Sequence, residues 1–260
     1  MVKIPMRWIY ISPHLDDAVL SAGGLIYEQI HAGMDVEIWT MLCGFPAGGE
    51  LSPFAQMLHV MWGVSSSADL LATRIAEDEK AAGILGAKTF HFDFLDCIYR
   101  RGKKGDWLYS GVFVPPHDDD ADLPAHIAEA IAARLLPTDQ LVCQFGLGSH
   151  VDHILVRRAV ELLQRPLLYL ADVPYLFKSS AELASHTAGM KVKTHRITDP
   201  GFWSWLEACS AYESQLSGLF EGPEDMQSKF QQYWSEYIGV RLWSPVQAGT
   251  SNTRANASKF

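Results

Sequence analysis

The residues most able to do chemistry lie in two short clusters, Ser12-Pro-His-Leu-Asp-Asp17 and His150-Val-Asp-His153. The first holds one imidazole and two carboxylates. His14 and Asp17 are three apart, so both can face one point if a helix begins between them. Asp16 can look into the same cavity. A lone histidine in a loop usually means nothing, and either aspartate could simply cap a helix. Two such clusters at equivalent places in two strand–helix units are much harder to assign to chance.

Together the clusters offer His14, Asp17 and one of the later histidines. Two histidines and one carboxylate are the donor set of hydrolytic zinc sites that keep one position open for water. His153 opens a helix, as Asp17 does, and is read as the third ligand. Asp16, His150 and Asp152 remain. Asp16 is the expected base toward a water made acidic by the metal. His150, held as a cation by Asp152, is expected to stabilise the oxyanion and protonate the leaving amine. Asp152 would fix the tautomer of His150. The same ligands accept other divalent ions.

The elements around these clusters must carry them to one place. Trp8-Ile-Tyr-Ile11 reads as a buried strand, and Ala18 to Ile30 as a helix ended by Gly33. Further strands are expected at Asp35–Met41, Lys88–Phe92, Leu141–Gln144, Leu167–Leu170 and Lys191–Ile197. Helices are expected at Ala68–Leu85, capped by Asp69, and at Leu123–Leu135, Ile154–Leu163, Phe202–Leu219 and Glu224–Tyr237. Alternating strands and helices predict a three-layer α/β/α, Rossmann-like fold with a mostly parallel sheet. Ligands bind such sheets at the carboxyl ends of the strands, where both clusters fall. Residues 1–243 read as one domain with an insertion at 101–121, and 244–260 as a flexible tail. The acidic run Asp118-Asp-Asp120 lacks the spacing of a calcium loop.

The chain has 260 residues, 48% hydrophobic and 20% charged, enough for a sizeable core. Its net charge of −9 and the short basic spot at Arg100-Arg101 and Lys103-Lys104 argue against nucleic acid as a partner. Cys43, Cys97, Cys143 and Cys209 are far apart and form no disulfide or zinc pattern. No signal peptide and no membrane-length apolar run is read, so the expected location is cytoplasmic. Phe230, Tyr233, Trp234 and Tyr237 recur at near-helical spacing, as core or as a homo-oligomer contact, with core preferred.

The two clusters resemble the motifs of the PIG-L/LmbE-like zinc-dependent de-N-acetylases, which remove acetyl from N-acetylglucosamine-type substrates. The family's first motif stands here as Pro13-His-Leu-Asp-Asp-Ala18 and its second as His150-Val-Asp-His153. The resemblance implies His14, Asp17 and His153 as zinc ligands, Asp16 as base, and His150 with Asp152 as the pair beside the metal. It extends to Arg74-Ile-Ala-Glu77, whose Arg74 would reach a substrate hydroxyl or phosphate. Without it, Arg74 and Glu77 read as a solvated pair. Asp96 would hold sugar hydroxyls, with Asp93 as a rival, and Tyr212-Glu-Ser-Gln215 would pack near the site.

The chain departs from the family pattern at Leu15, Ala18 and the Gly148-Ser149 pair, where some members carry an oxyanion-binding tyrosine. Main-chain N–H groups or Tyr175 would have to replace it, or His150 acts alone. The implied activity is removal of acetyl from an acetamido sugar or its conjugate. The alternatives are an amidase of a mycothiol- or bacillithiol-type conjugate, an inactive binding protein, and a nucleotide-binding module. The 101–121 segment and the aromatic loops expected at 54–62 and 202–205 would make room for a bulky acyl group. Gly146-Leu-Gly148 without a third glycine disfavours the nucleotide module.

Overall fold

A computed structural model describes residues 6–46, 50–62, 67–178 and 180–246. The order of elements is β1 (Arg7–Ser12), α1 (Asp17–His31), β2 (Asp35–Thr40), α2 (Pro53–Met61), α3 (Ser67–Leu85), β3 (Lys88–His91), α4 (Leu123–Ala132), β4 (Gln140–Gln144), α5 (Val151–Leu162), β5 (Leu167–Leu170), α6 (Tyr175–Lys178), α7 (Ser180–Thr187), β6 (Met190–Arg196), α8 (Asp199–Ser210), α9 (Glu213–Leu219), α10 (Pro223–Tyr237) and β7 (Gly239–Pro245). Short 3-10 turns stand at Cys97–Tyr99, Asp118–Asp120 and Leu147–Ser149.

The strands form one sheet in the order β3-β2-β1-β4-β5-β7-β6. The first five run parallel, and β7 pairs antiparallel with both β5 and β6. From β1 the chain steps outward to β2 and β3, then returns to β4 and steps the other way to β5. Right-handed crossovers in opposite directions place α1 and α3 on one face and α4 and α5 on the other. The order reverses between β1 and β4. The loops that leave those two strands therefore splay apart over a crevice, which is where this topology binds ligands. The two polar clusters occupy those two loops.

The core is apolar from both faces of the sheet. Ile9, Ile11, Ile38, Leu141 and Val142 are buried in the central strands, as continuous apolar runs in parallel sheets require. Trp205 of α8 is 0% exposed and lies against Gly23 and Gly24 of α1, where a larger residue would collide with its ring. On α10, Phe230 and Tyr233 are buried and Trp234 stacks on Phe202 at 4.6 Å, so these aromatics belong to the core.

Several elements differ from the sequence expectation. α3 begins at Ser67, so Asp69 lies within its first turn and not ahead of it. The helix expected over Phe202–Leu219 breaks into α8 and α9 at Tyr212, whose backbone leaves the helical region while its hydroxyl donates to Asp78 at 2.7 Å. The segments 54–62 and 202–205 are helical rather than loops, within α2 and α8 apart from Trp62. β7 was not expected, and Ser244 and Pro245 belong to it instead of a tail. Residues 247–260 of that expected tail lie outside the described residues.

Candidate active site

The turn after β1 folds around Ser12. Its Oγ accepts from the Ala18 N–H at 3.0 Å and donates to the His14 carbonyl at 2.7 Å. Ser12 thereby does the capping that Asp16 or Asp17 could have done. Asp16 makes no capping hydrogen bond and sits at φ 133°, in a region that L-residues rarely adopt. Strain of that kind gathers at functional sites. Asp17 Oδ2 accepts from the His14 N–H at 2.8 Å, which brings the ligand-bearing groups of this loop together. Across the crevice, Gly146 and Gly148 carry positive φ values, and a Cβ on Gly148 would strike the Tyr175 ring. That loop delivers His150 as the N-cap of α5 and His153 in its first turn.

The two loops meet. Asp17 Oδ2 lies 3.2 Å from His14 Nδ1 and 3.3 Å from His153 Nε2. The donor atoms of His14, Asp17 and His153 all fall within 4.8 Å of one another, and all three residues are buried. Ligands about 2.1 Å from a tetrahedral zinc are spaced about 3.4 Å apart, and the two distances from Asp17 match that spacing. Each histidine is also held from behind. Asp152 Oδ2 accepts from His14 Nε2 at 3.0 Å, and Asp172 Oδ1 accepts from His153 Nδ1 at 2.9 Å. Carboxylates in that position fix the tautomer and aim the free nitrogen at a metal. Five carboxylates, Asp16, Asp17, Asp96, Asp152 and Asp172, surround the histidines, and a divalent cation is the natural counter-charge.

The same excess of carboxylate shapes the acid–base state of the protein alone. Burial opposes charge on His14 and His153, but the bonds to Asp152, Asp17 and Asp172 outweigh it. His14 is held well above its usual value and His153 at about 9. Asp16 is pushed up to about 7, chiefly by burial and then by the neighbouring charge of Asp17. His150 is held well below the usual histidine value by burial and by the charges of His14 and His153.

His14, Asp16, Asp17, His150 and His153 line a cavity of about 170 Å³ together with Arg74 and Asp96. Asp152 lies just behind it, with no exposed side-chain surface. Arg74 stands over the Trp62 ring at 5.6 Å, and its buried Nε has no hydrogen-bond partner. Asp96 Oδ2 lies 3.6 Å from His14 Nε2. Asp93, its rival, is exposed and does not line the cavity. Gln215 does line it. The neighbouring Ser214 is clamped by Glu77 through its N–H at 2.8 Å and its hydroxyl at 2.6 Å, so Glu77 of the Arg74 helix is not a solvated partner of Arg74.

The expected pairing of Asp152 with His150 needs correction. The Asp152 carboxylate is taken up by His14, by Arg100 at 2.6 Å and by the Cys97 N–H. Only its backbone touches His150, whose Nδ1 accepts from the Asp152 N–H at 3.2 Å. A neutral His150 then carries its proton on Nε2, and it is a hydrogen-bond donor rather than a cation. Asp172 received no role from the sequence, though an aspartate directly beyond the carboxyl end of a buried strand was a signal to weigh.

The sequence matches the family model described as PIG-L, GlcNAc-PI de-N-acetylase, over residues 9–163. It is 24% identical to a 2′-N-acetylparomamine deacetylase of Niallia circulans, over 91% of this chain and 93% of that one. Among solved structures, a deacetylase–bog complex from the teicoplanin biosynthesis pathway superposes with a TM-score of 0.81 at 28% identity, covering 95% of this chain and all of the other. The A40926 pseudoaglycone deacetylase Dbv21 does so with a TM-score of 0.75 at 29% identity, covering 93% and 97%. The span of the family model holds both polar clusters and more than half of the chain, and the chain belongs to the PIG-L family of GlcNAc-PI de-N-acetylases, enzymes that hydrolyse an acetamide.

Proposed function

We propose that the protein is a zinc-dependent de-N-acetylase acting on an N-acetylglucosamine-type sugar, free or carried on a larger molecule. The observation that carries this reading is the meeting of His14 Nδ1, Asp17 Oδ2 and His153 Nε2 in a cavity that the Asp16 carboxyl also lines. Relatives that act on 2′-N-acetylparomamine and in teicoplanin biosynthesis support an acetylated amine on a larger scaffold.

His14, Asp17 and His153 would hold the cation, which supplies Lewis acidity toward the acetyl oxygen and toward a water. Asp16 then takes the proton of the attacking water, a task for which a value near 7 suits it. His150 donates from Nε2 to the acyl oxygen as charge gathers there. In this scheme the proton taken up by Asp16 is the one returned to the leaving nitrogen. Acetate and a free amine result. Arg74 and Asp96 orient the sugar from the cavity wall. We place the protein in the cytoplasm. Its four buried cysteines are all free, and no described helix is long and apolar enough to cross a membrane.

The test is a panel of N-acetylated sugars and conjugates assayed for released amine with and without zinc. Zinc-dependent release that disappears in Asp17→Ala is expected. A zinc-loaded protein that hydrolyses no acetamide would overturn the substrate class.

A further inference from the structure

We propose that Arg100 is a positioning residue for the metal centre, tying the 101–121 segment to the ligand His14. The inference rests on the metal-site reading above. Arg100 is buried but does not line the active cavity. Its Nη2 donates to Asp152 Oδ1 at 2.6 Å, its Nε to Asp120 Oδ2 at 2.8 Å, and its Nη1 to the Leu95 carbonyl at 2.9 Å. The other oxygen of Asp152 receives His14 Nε2. On the far side, the Tyr109 hydroxyl donates to Asp120 Oδ2 at 2.6 Å and accepts from the His117 N–H at 3.0 Å. An unbroken path therefore runs from Tyr109 through Asp120, Arg100 and Asp152 to His14.

The direction of each bond matters. Asp152 Oδ2 is shared by His14 Nε2 and the Cys97 N–H, and Arg100 anchors the other oxygen, Oδ1. Buried without a cation, that carboxylate would lose its strongest bond and its fixed orientation. His14 would then lose the partner that keeps its proton on Nε2 and its Nδ1 lone pair free for a metal. Arg100 spreads its three bonds over Nε, Nη1 and Nη2, whereas the three donors of a lysine ammonium radiate from one atom, so lysine is not an equivalent. Asp120 and Tyr109 come from the segment read as an insertion. That segment is thus a brace for the metal ligand.

Zinc affinity is the direct readout, measured by competition with a chromophoric chelator on the whole chain. The comparison includes wild type, Arg100→Gln, Arg100→Lys and Tyr109→Phe. Wild type is expected to take up zinc, and failure to do so defeats the metal-site reading itself. Given that uptake, Arg100→Gln should weaken zinc binding by about 10- to 100-fold, the usual scale for losing an outer partner of a ligand. Arg100→Lys should recover only part of the loss. Tyr109→Phe removes one hydroxyl outside the cavity and should weaken binding in the same direction by a smaller factor. At saturating zinc, KM should change little, since Arg100 does not reach the cavity. Unchanged zinc affinity in a folded Arg100→Gln protein overturns the proposal. Should that variant fail to fold, unchanged affinity in Tyr109→Phe does so.

Discussion

Asp172 accepts the Nδ1 proton of His153 at 2.9 Å while its own oxygens are held by the N–H groups of Gly146 and Leu147. The same loop that carries the second histidine motif is thus pinned by the carboxylate that aims it. Asp172→Asn should lower zinc affinity by about 10- to 100-fold. Isothermal titration of zinc into the metal-free variant measures this. An affinity equal to wild type would mean that His153 holds its orientation without help.

Asp16→Asn should keep the metal and lose about a hundredfold or more in turnover. Asparagine tolerates unusual positive φ better than most residues, so the strained backbone at Asp16 survives the change. Zinc content and amine release, measured on the same sample, separate the two effects. Near-normal turnover would remove Asp16 from the role of base.

Metal uptake should release protons. Burial disfavours the imidazolium of His153, yet Asp17 and Asp172 hold it at about 9 in the protein alone, and His14 is raised too. Both rings must be neutral to bind a metal. Affinity should therefore rise with pH through about 9, where the His153 ring gives up its proton. Calorimetry in two buffers of different ionisation enthalpy reveals the protons as a buffer-dependent heat. Identical heats would contradict a protonated apo site.

Arg74→Gln should raise KM by about tenfold or more while leaving zinc affinity intact, because a charged donor contributes about 1.5–3 kcal/mol. Steady-state kinetics on the best acetamide gives the first quantity and chelator competition the second. A fall in zinc affinity with unchanged KM would reassign Arg74 from substrate to metal.

Gly23→Ala should destabilise the fold by about 1–3 kcal/mol. Its Cβ would stand 2.5 Å from the Trp205 ring, which is fixed by a bond from Nε1 to the Val19 carbonyl at 2.7 Å. Urea unfolding followed by tryptophan fluorescence reports the loss. An unshifted midpoint would show that α8 can move away.

The parts of this site that were legible in the sequence are the local ones. His14, Asp16 and Asp17 share one turn, and His150 and His153 another, so spacing alone nearly assembles each half. The parallel strands also show themselves, because burial on both faces leaves short apolar runs such as Leu141-Val142-Cys143. What spacing cannot reveal is which oxygen meets which ring across the crevice. Asp152 is two residues from His150, and the expected pair is the nearest one. The fold instead gives its carboxylate to His14, from the opposite loop, and to Arg100. Asp172 is a single aspartate with no motif, and its partner lies on another element. β7 escaped notice because Gly239-Val-Arg-Leu-Trp-Ser-Pro245 mixes glycine, arginine and proline into a short strand whose pairing comes from outside the run.

β7 lies against β5, pairing Trp243 with Tyr169 and Leu242 with Leu170. Leu170 is the end of β5, two residues before Asp172. The strand flanking the root of the Asp172 loop is therefore the last described strand to leave the ribosome. β7 thus closes the edge of β5 from which that loop departs, and loosening β7 should loosen the root of the loop.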